Sequence, residues 1–263
     1  MTAYSTIRLQ TDERGVATLS LARPDKHNAI DAVMMRELRR AAAELATADN
    51  IRSVIIASTG PTFCAGADLN WMQDQIGKDR AGRIAEATEF ALTLRDLDTL
   101  GKLVVGRVQG PAYGGGVGLM CICDVVIAAN TAKFALTETR LGLAPSNVGP
   151  YVLRRLGEGG SRQMFFNSRV IGPERALQLG LVSRVTTPAE LDAAVDEEIA
   201  AILKCAPGAV AEAKAQCRAM ARDPAATALD ITVGKLADRW ESAEGQAGLE
   251  AFFARRPPPW QAK

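Results

Sequence analysis

The sequence predicts an α/β fold built on a mainly parallel sheet, and three features carry that prediction. Short apolar, β-branched runs alternate with longer stretches of helical periodicity through the first two-thirds of the chain. Residues 53–57, Ser-Val-Ile-Ile-Ala, are almost continuously apolar, as expected of a strand covered on both faces. From about Thr187 the β-branched runs fade, and alanine-rich helical periodicity continues nearly to the end.

Taken in order, residues 6–10 and 16–22 read as strands joined by a turn over 12–15. Asp31 can cap a helix whose Met34, Leu38, Ala42 and Leu45 recur along one face. The 53–57 strand follows, then a helical stretch over 81–97, then apolar segments at 103–108 and 124–129. Residues 182–185 form the last strand. Prolines in Arg256-Pro-Pro-Pro-Trp260 are expected to end the final helix. No low-complexity linker divides the chain, so a core over residues 1–187 and a helical region over 188–263 should pack together. No exact internal repeat is evident.

The 263 residues are 48% hydrophobic and 23% charged, enough apolar material for a large core and too much for disorder. Net charge is +1, which gives no electrostatic footprint for nucleic acid. No apolar run reaches bilayer length, and the first residues lack the basic and apolar regions of a secretory leader. The five cysteines have no framework spacing, Cys121 and Cys123 are too close for usual zinc ligation, and His27 is the sole histidine. These features predict a cytoplasmic protein without disulfides, metal or membrane partner.

Two segments suggest chemistry. Gln109-Gly-Pro-Ala-Tyr-Gly-Gly-Gly-Val-Gly118 follows an apolar strand and leads into a helix. That order places unobstructed backbone N–H groups at a helix N-terminus, where negative charge is stabilised. It is neither a Walker loop nor a dinucleotide fingerprint, and on its own it is equally a tight strand-to-helix turn. Thr62-Phe-Cys-Ala-Gly-Ala-Asp-Leu69 again puts a small-residue backbone just beyond a strand, where α/β folds bind ligands. One N–H from each segment could meet a single developing oxyanion, at roughly 3–4 kcal/mol per donor in favourable cases.

At this point the chain resembles the enoyl-CoA hydratase/isomerase (crotonase) superfamily, from about Ile7 to Trp260. The matching motifs, in order, are Leu21-Ala-Arg-Pro-Asp-Lys-His-Asn-Ala29, Phe63-Cys-Ala-Gly-Ala-Asp-Leu69, residues 110–118, Cys123-Asp124, residues 134–142 and Gly180-Leu-Val182. The resemblance implies a crotonase-like ββα spiral core and a C-terminal helical trimerisation region, assembled as a homotrimer or dimer of trimers. It implies an oxyanion hole from the amides of Ala67 and Gly115. It places coenzyme A along Lys26 to Ala29, Ala65, Asp68 and Leu69, with the acyl end near Tyr113 and Gly114. No cofactor is implied, since coenzyme A enters as part of the acyl-CoA substrate and amide dipoles stabilise the enolate.

An oxyanion hole moves no proton, so an acid or base is still required. Glu138 sits among Phe134, Leu136, Leu141 and Leu143, where a closed pocket would raise its pKa. Read alone, it is better taken as a solvent-exposed glutamate pairing with Arg140 or Lys133. The resemblance aligns it with the family's catalytic glutamate. Familiar hydratases carry a second glutamate where this chain has Gly118. The segment Thr137-Glu-Thr-Arg-Leu-Gly-Leu-Ala-Pro145 most resembles bacterial methylglutaconyl-CoA and isohexenylglutaconyl-CoA hydratases, and favours a one-glutamate hydratase. The alternatives are a Δ3,Δ2-enoyl-CoA isomerase and a non-catalytic acyl-CoA-binding scaffold. Among other residues, His27 is expected to shape the coenzyme A entrance or merely bear solvent, Cys64 to be buried and inert, and Asp124 to cap or hydrogen-bond structurally.

Overall fold

A computed structural model describes residues 4–222 and 228–261. The chain runs β1 (Ile7–Thr11), β2 (Val16–Leu21), α1 (Ala32–Thr47), β3 (Ser53–Ser58), α2 (Leu69–Gly77), α3 (Arg80–Asp98), β4 (Leu103–Val108) and β5 (Ala112–Tyr113). It continues with α4 (Gly115–Cys121), β6 (Val125–Ala129), β7 (Phe134–Ala135), α5 (Gly149–Phe165), α6 (Pro173–Gln178), β8 (Arg184–Thr186) and α7 (Leu191–Ile202). Helices α8 (Pro207–Arg222), α9 (Ala228–Glu241) and α10 (Ala243–Phe253) close it. The main sheet has the order β1-β2-β3-β4-β6-β8, antiparallel at β1/β2 and parallel elsewhere. The predicted α/β class therefore holds.

Alternating side chains bury both faces of the central strands. Val54, Ile56, Val104 and Val126 join α1, α3 and α4 in the larger cluster, whereas Val105, Ile127 and Ala129 pack against Leu191, Ala194, Val195 and Ile199 of α7. This double burial explains why residues 53–57 read as one continuous apolar run.

A second, much shorter ladder lies outside the main sheet. Strands β5 and β7 pair in parallel, and isolated bridges join Ile30 to Ala67, Cys64 to Ala112 and Phe134 to Ile171. Most passes of the chain thus run from a long strand, through a short ladder segment, into a helix, which is the ββα spiral. Both candidate donor segments belong to this ladder.

Four expectations shift. Helix α2 was not foreseen: Asp68 caps it through the amides of Asn70 and Trp71, but it buries no residue, and its Leu69 and Ile76 lie exposed. The last strand pairs only over Arg184–Thr186, two residues later than read. The helix expected over 81–97 runs one residue further at each end. Prolines do not end α10, which stops at Phe253; Arg255 takes φ 51° and the Arg256 N–H returns to the Ala251 carbonyl, closing the end in a Schellman motif. Among the described residues no helix is long and apolar enough to cross a membrane.

The turn between β2 and α1 is tied to the segment after β3 by Asn28, which is fully buried. Its Nδ2 donates to the carbonyls of Thr59 and Thr62, each at 2.8 Å, and its Oδ1 accepts from the Arg23 amide at 2.9 Å. Its φ of 55° is tolerated by asparagine better than by most residues. Asn28→Ala should therefore cost about 2–3 kcal/mol of unfolding free energy in a urea titration. An unchanged midpoint would show that the two segments hold together without it.

Candidate active site

The first donor segment is positioned by its neighbours rather than by a long strand. Ile30 N–H donates to the Gly66 carbonyl at 2.7 Å, and Asp68 N–H donates to the Ile30 carbonyl at 2.9 Å. In a parallel bridge of this pattern the residue between, Ala67, turns its own N–H to the other side. That amide has no hydrogen-bond partner among the described residues. Gly66 adopts φ +93°, and a Cβ there would stand 3.0 Å from the Tyr113 carbonyl oxygen and 3.7 Å from the Gly115 nitrogen. The 66–67 and 113–115 segments therefore lie against each other.

The second segment follows the same logic. Tyr113 N–H donates to the Cys64 carbonyl and Gly114 N–H to that of Ala135, at 2.9 and 3.0 Å. Gly115 then opens α4, where the first amides have no acceptor within the helix. Its N–H also lacks a partner among the described residues. Two unpaired amides, on segments in contact, are what a single anionic or carbonyl oxygen needs.

Glu138 lies beside them. It opens a 3-10 turn over Glu138–Leu141, just beyond β7, and Leu143 N–H returns to its carbonyl. Gly114 has φ +47°, and a Cβ there would come 3.3 Å from Glu138 Oε1, so the carboxylate leans over the residue preceding Gly115. Glu138 Oε2 is buried without a hydrogen-bond partner. Burial pushes the carboxyl pKa above its ordinary value, against a smaller downward pull from the backbone amides of Glu138 and Thr137. No ion pair to Lys133 or Arg140 forms among the described residues. The surroundings differ from those read in the sequence: Phe134 and Leu136 are buried, but Leu141 and Leu143 are 59% and 57% exposed. Desolvation thus comes from β7 and the glycine turn, not from the downstream leucines.

The rest of the helix opening is walled with carbon. A Cβ at Gly115 would meet Phe90 and Ile30 at 3.0 and 3.2 Å, and one at Gly118 would meet Val148 Cγ1 at 2.4 Å. The place where a second polar side chain would stand is filled by Val148, itself buried. Asn147 Nδ2 donates to the Ala87 carbonyl and ties this loop to α3.

The remaining predicted residues gather at the same edge. Lys26 is exposed on the 3-10 turn Pro24–Lys26, Ala29 is buried, Ala65 and Tyr113 are half-buried, and Leu69 is 79% exposed. Asp68 is buried and occupied by the α2 cap and by Arg23. His27 contacts Thr62 Oγ1 at 3.0 Å. Cys64 is fully buried, its thiol pushed up to about 12, which bears out the inert reading. Asp124 accepts from Val104 N–H and Lys214, a structural bond as expected. Sequence reasoning missed Arg23, Phe90 and Val148; only Arg23 carried a signal, as a charge within the Leu21–Ala29 motif. Among the described residues no three His, Cys, Asp or Glu side chains converge as metal ligands.

Comparison with known proteins points to one family. The profile of the enoyl-CoA hydratase/isomerase family matches residues 11–263. A putative enoyl-CoA hydratase/isomerase of Bacillus subtilis is 33% identical over 243 residues, covering 92% of each chain. A probable enoyl-CoA hydratase of Mycobacterium tuberculosis is 30% identical over 264 residues, covering 97% of each. The crystal structure of an enoyl-CoA hydratase from Shewanella pealeana superposes with a TM-score of 0.93 at 34% identity, covering 98% of this chain and 96% of that one.

The buried Glu138 carboxylate has a consequence for stability. Glu138 holds its proton more tightly folded than unfolded, so its contribution is greatest below the unfolded pKa and is lost as pH rises through the folded one. Glu138→Gln should raise the melting temperature at pH 8 by about 2–4 °C, for ~1 kcal/mol in a chain of this size. The difference should shrink towards pH 4. Equal melting temperatures at pH 8 would mean that the carboxylate is solvated.

Proposed function

The chain belongs to the enoyl-CoA hydratase/isomerase family, and on that premise we propose that it is an enoyl-CoA hydratase working with a single carboxylate. The observation that carries this reading is Glu138 Oε2, buried without a hydrogen-bond partner beside two unpaired amides, those of Ala67 and Gly115. The thioester carbonyl oxygen accepts both N–H groups, which draws electrons from the conjugated double bond and leaves the β-carbon electrophilic. Glu138 removes a proton from water as its oxygen bonds to the β-carbon. The π electrons move to the thioester oxygen as an enolate, held by the two amides. The enolate then collapses, and Glu138 returns its proton to the α-carbon. Water has been added, and the carboxylate is regenerated.

A carboxyl whose pKa lies above the ordinary range suits both halves of this cycle. Coenzyme A would lie along Lys26 to Ala29, Ala65 and the Asp68-Leu69 edge, with the reacting carbons between Gly114 and Glu138 and the acyl chain near Tyr113. Exposed Trp240, Phe252 and Phe253 on the C-terminal helices support the proposal that this region packs against other copies in a trimer or dimer of trimers. Double-bond migration is the second reading. It is favoured by the carbon wall of Phe90, Ile30 and Val148, which offers no group to hold water.

Assay of crotonyl-CoA, 3-methylglutaconyl-CoA and a 3-enoyl-CoA separates these readings. Loss of the 2-enoyl absorbance is expected, with Glu138→Gln slower by roughly 10²–10⁴-fold at little-changed coenzyme A affinity. Turnover of the 3-enoyl substrate alone would establish the isomerase. Tight binding without turnover of any thioester would leave a scaffold. For wild type, kcat/KM should fall with decreasing pH through a step above the ordinary carboxylate range, and the Glu138→Gln residual activity should lack it. A step at the ordinary value would contradict the role of burial.

A further inference from the structure

We propose that Arg23 is a positioning residue for the Ala67 amide, acting through Asp68, and that it thereby governs how strongly a bound thioester is polarised; this rests on the reading of the site given above. Arg23 stands at the start of the turn between β2 and α1. Its Nη1 lies 3.0 Å from Asp31 Oδ2 and donates to the Ala29 carbonyl at 2.6 Å, while Nη2 lies 3.0 Å from Asp68 Oδ2. The Arg23 and Asp68 side chains are only 17% and 8% exposed. Both Asp68 oxygens are committed: Oδ1 accepts the Asn70 and Trp71 amides that begin α2, and Oδ2 faces the guanidinium.

The arrangement places a clamp one residue from a hinge. Gly66, with φ +93° and no Cβ, leaves the peptide that carries the Ala67 N–H free to rotate. Besides the Gly66 N–H bond to the Cys64 thiol, what fixes it comes from the 23–31 turn: Ile30 grips the Gly66 carbonyl and the Asp68 amide, and Arg23 grips the Asp68 carboxylate. Arg23 also spans that turn, from Ala29 to Asp31, so the gripping strand and the ion pair move as one body. Its charge is matched by two carboxylates, Asp31 and Asp68, which leaves it no surplus with which to hold a phosphate. Burial by itself would raise the Asp68 pKa, but the Asn70 amide and Arg23 carry it below the ordinary range, so the anchor stays ionised at neutral pH. A lysine cannot reproduce the anchor, since a single ammonium cannot reach three oxygens in the planar fork that arginine offers.

The test compares wild type with Arg23→Lys, Arg23→Gln and Asp68→Asn. The last keeps an oxygen for the α2 cap and removes only the ion pair, so it stands should Arg23→Gln fail to fold. Two quantities are read: kcat and KM on crotonyl-CoA, and the absorption maximum of bound cinnamoyl-CoA, which moves to the red as its thioester carbonyl is polarised. Arg23→Lys and Asp68→Asn should lose roughly 10- to 100-fold in kcat with KM within about three-fold. The red shift should shrink in step while the circular dichroism spectrum stays native. Variants that melt earlier but keep the wild-type kcat and red shift would overturn the proposal and leave Arg23 a stabilising residue only. A wild-type protein that neither shifts the chromophore nor turns over any thioester would defeat the reading of the site itself, and the proposal with it.

Discussion

Everything at the candidate site depends on how closely two backbone segments approach. Gly66 and Tyr113 are near enough that one added methyl group would press on the Tyr113 carbonyl, and this contact brings the unpaired amides of Ala67 and Gly115 to one place. Neither amide is free by accident. Ala67 is the outward-facing residue of a one-bridge ladder, and Gly115 is the first residue of a helix, two positions at which regular hydrogen bonding leaves an N–H over. The long sheet positions these segments by fixing where β3 and β4 end. The short ladder fixes how the amides point.

The carboxylate follows from the same packing. Because Gly114 has no side chain, Glu138 leans over the peptide that enters α4, where the glycine turn and the buried Phe134 and Leu136 beside β7 shield it from water. A charge placed there is poorly solvated, which raises the affinity of Glu138 for its proton and makes it a proton carrier rather than a permanent anion. The instability of that anion and its proposed usefulness are two aspects of one burial.

The large features were legible in the sequence because they obey short-range rules. A strand buried on both faces must be apolar throughout, as residues 53–57 are, and α1 announces itself by an Asp31 cap and a one-sided stripe. What escaped were features fixed by distant partners. Strands β5 and β7 are two residues each and exist only through their pairing. Helix α2 buries no residue, and its cap, Asp68, could equally have been a ligand contact. Leu141 and Leu143 suggested the pocket around Glu138 but lie exposed, while Val148 and Phe90, distant in sequence, wall the opening of α4. The site's members were recognisable from their motifs; the shape of its apolar wall was not, because no periodicity encodes which side chain fills the space a glycine leaves.

The proposed chemistry requires Glu138 to exchange a proton with carbon next to a polarised thioester. That is seen most directly by following the α-protons of butanoyl-CoA, which carries no double bond, by proton NMR in deuterium oxide. Wild-type protein is expected to wash these protons out and Glu138→Gln to leave them in place. Persistence of the α-protons with folded, ligand-bound wild type, or equal exchange by the variant, would contradict that chemistry.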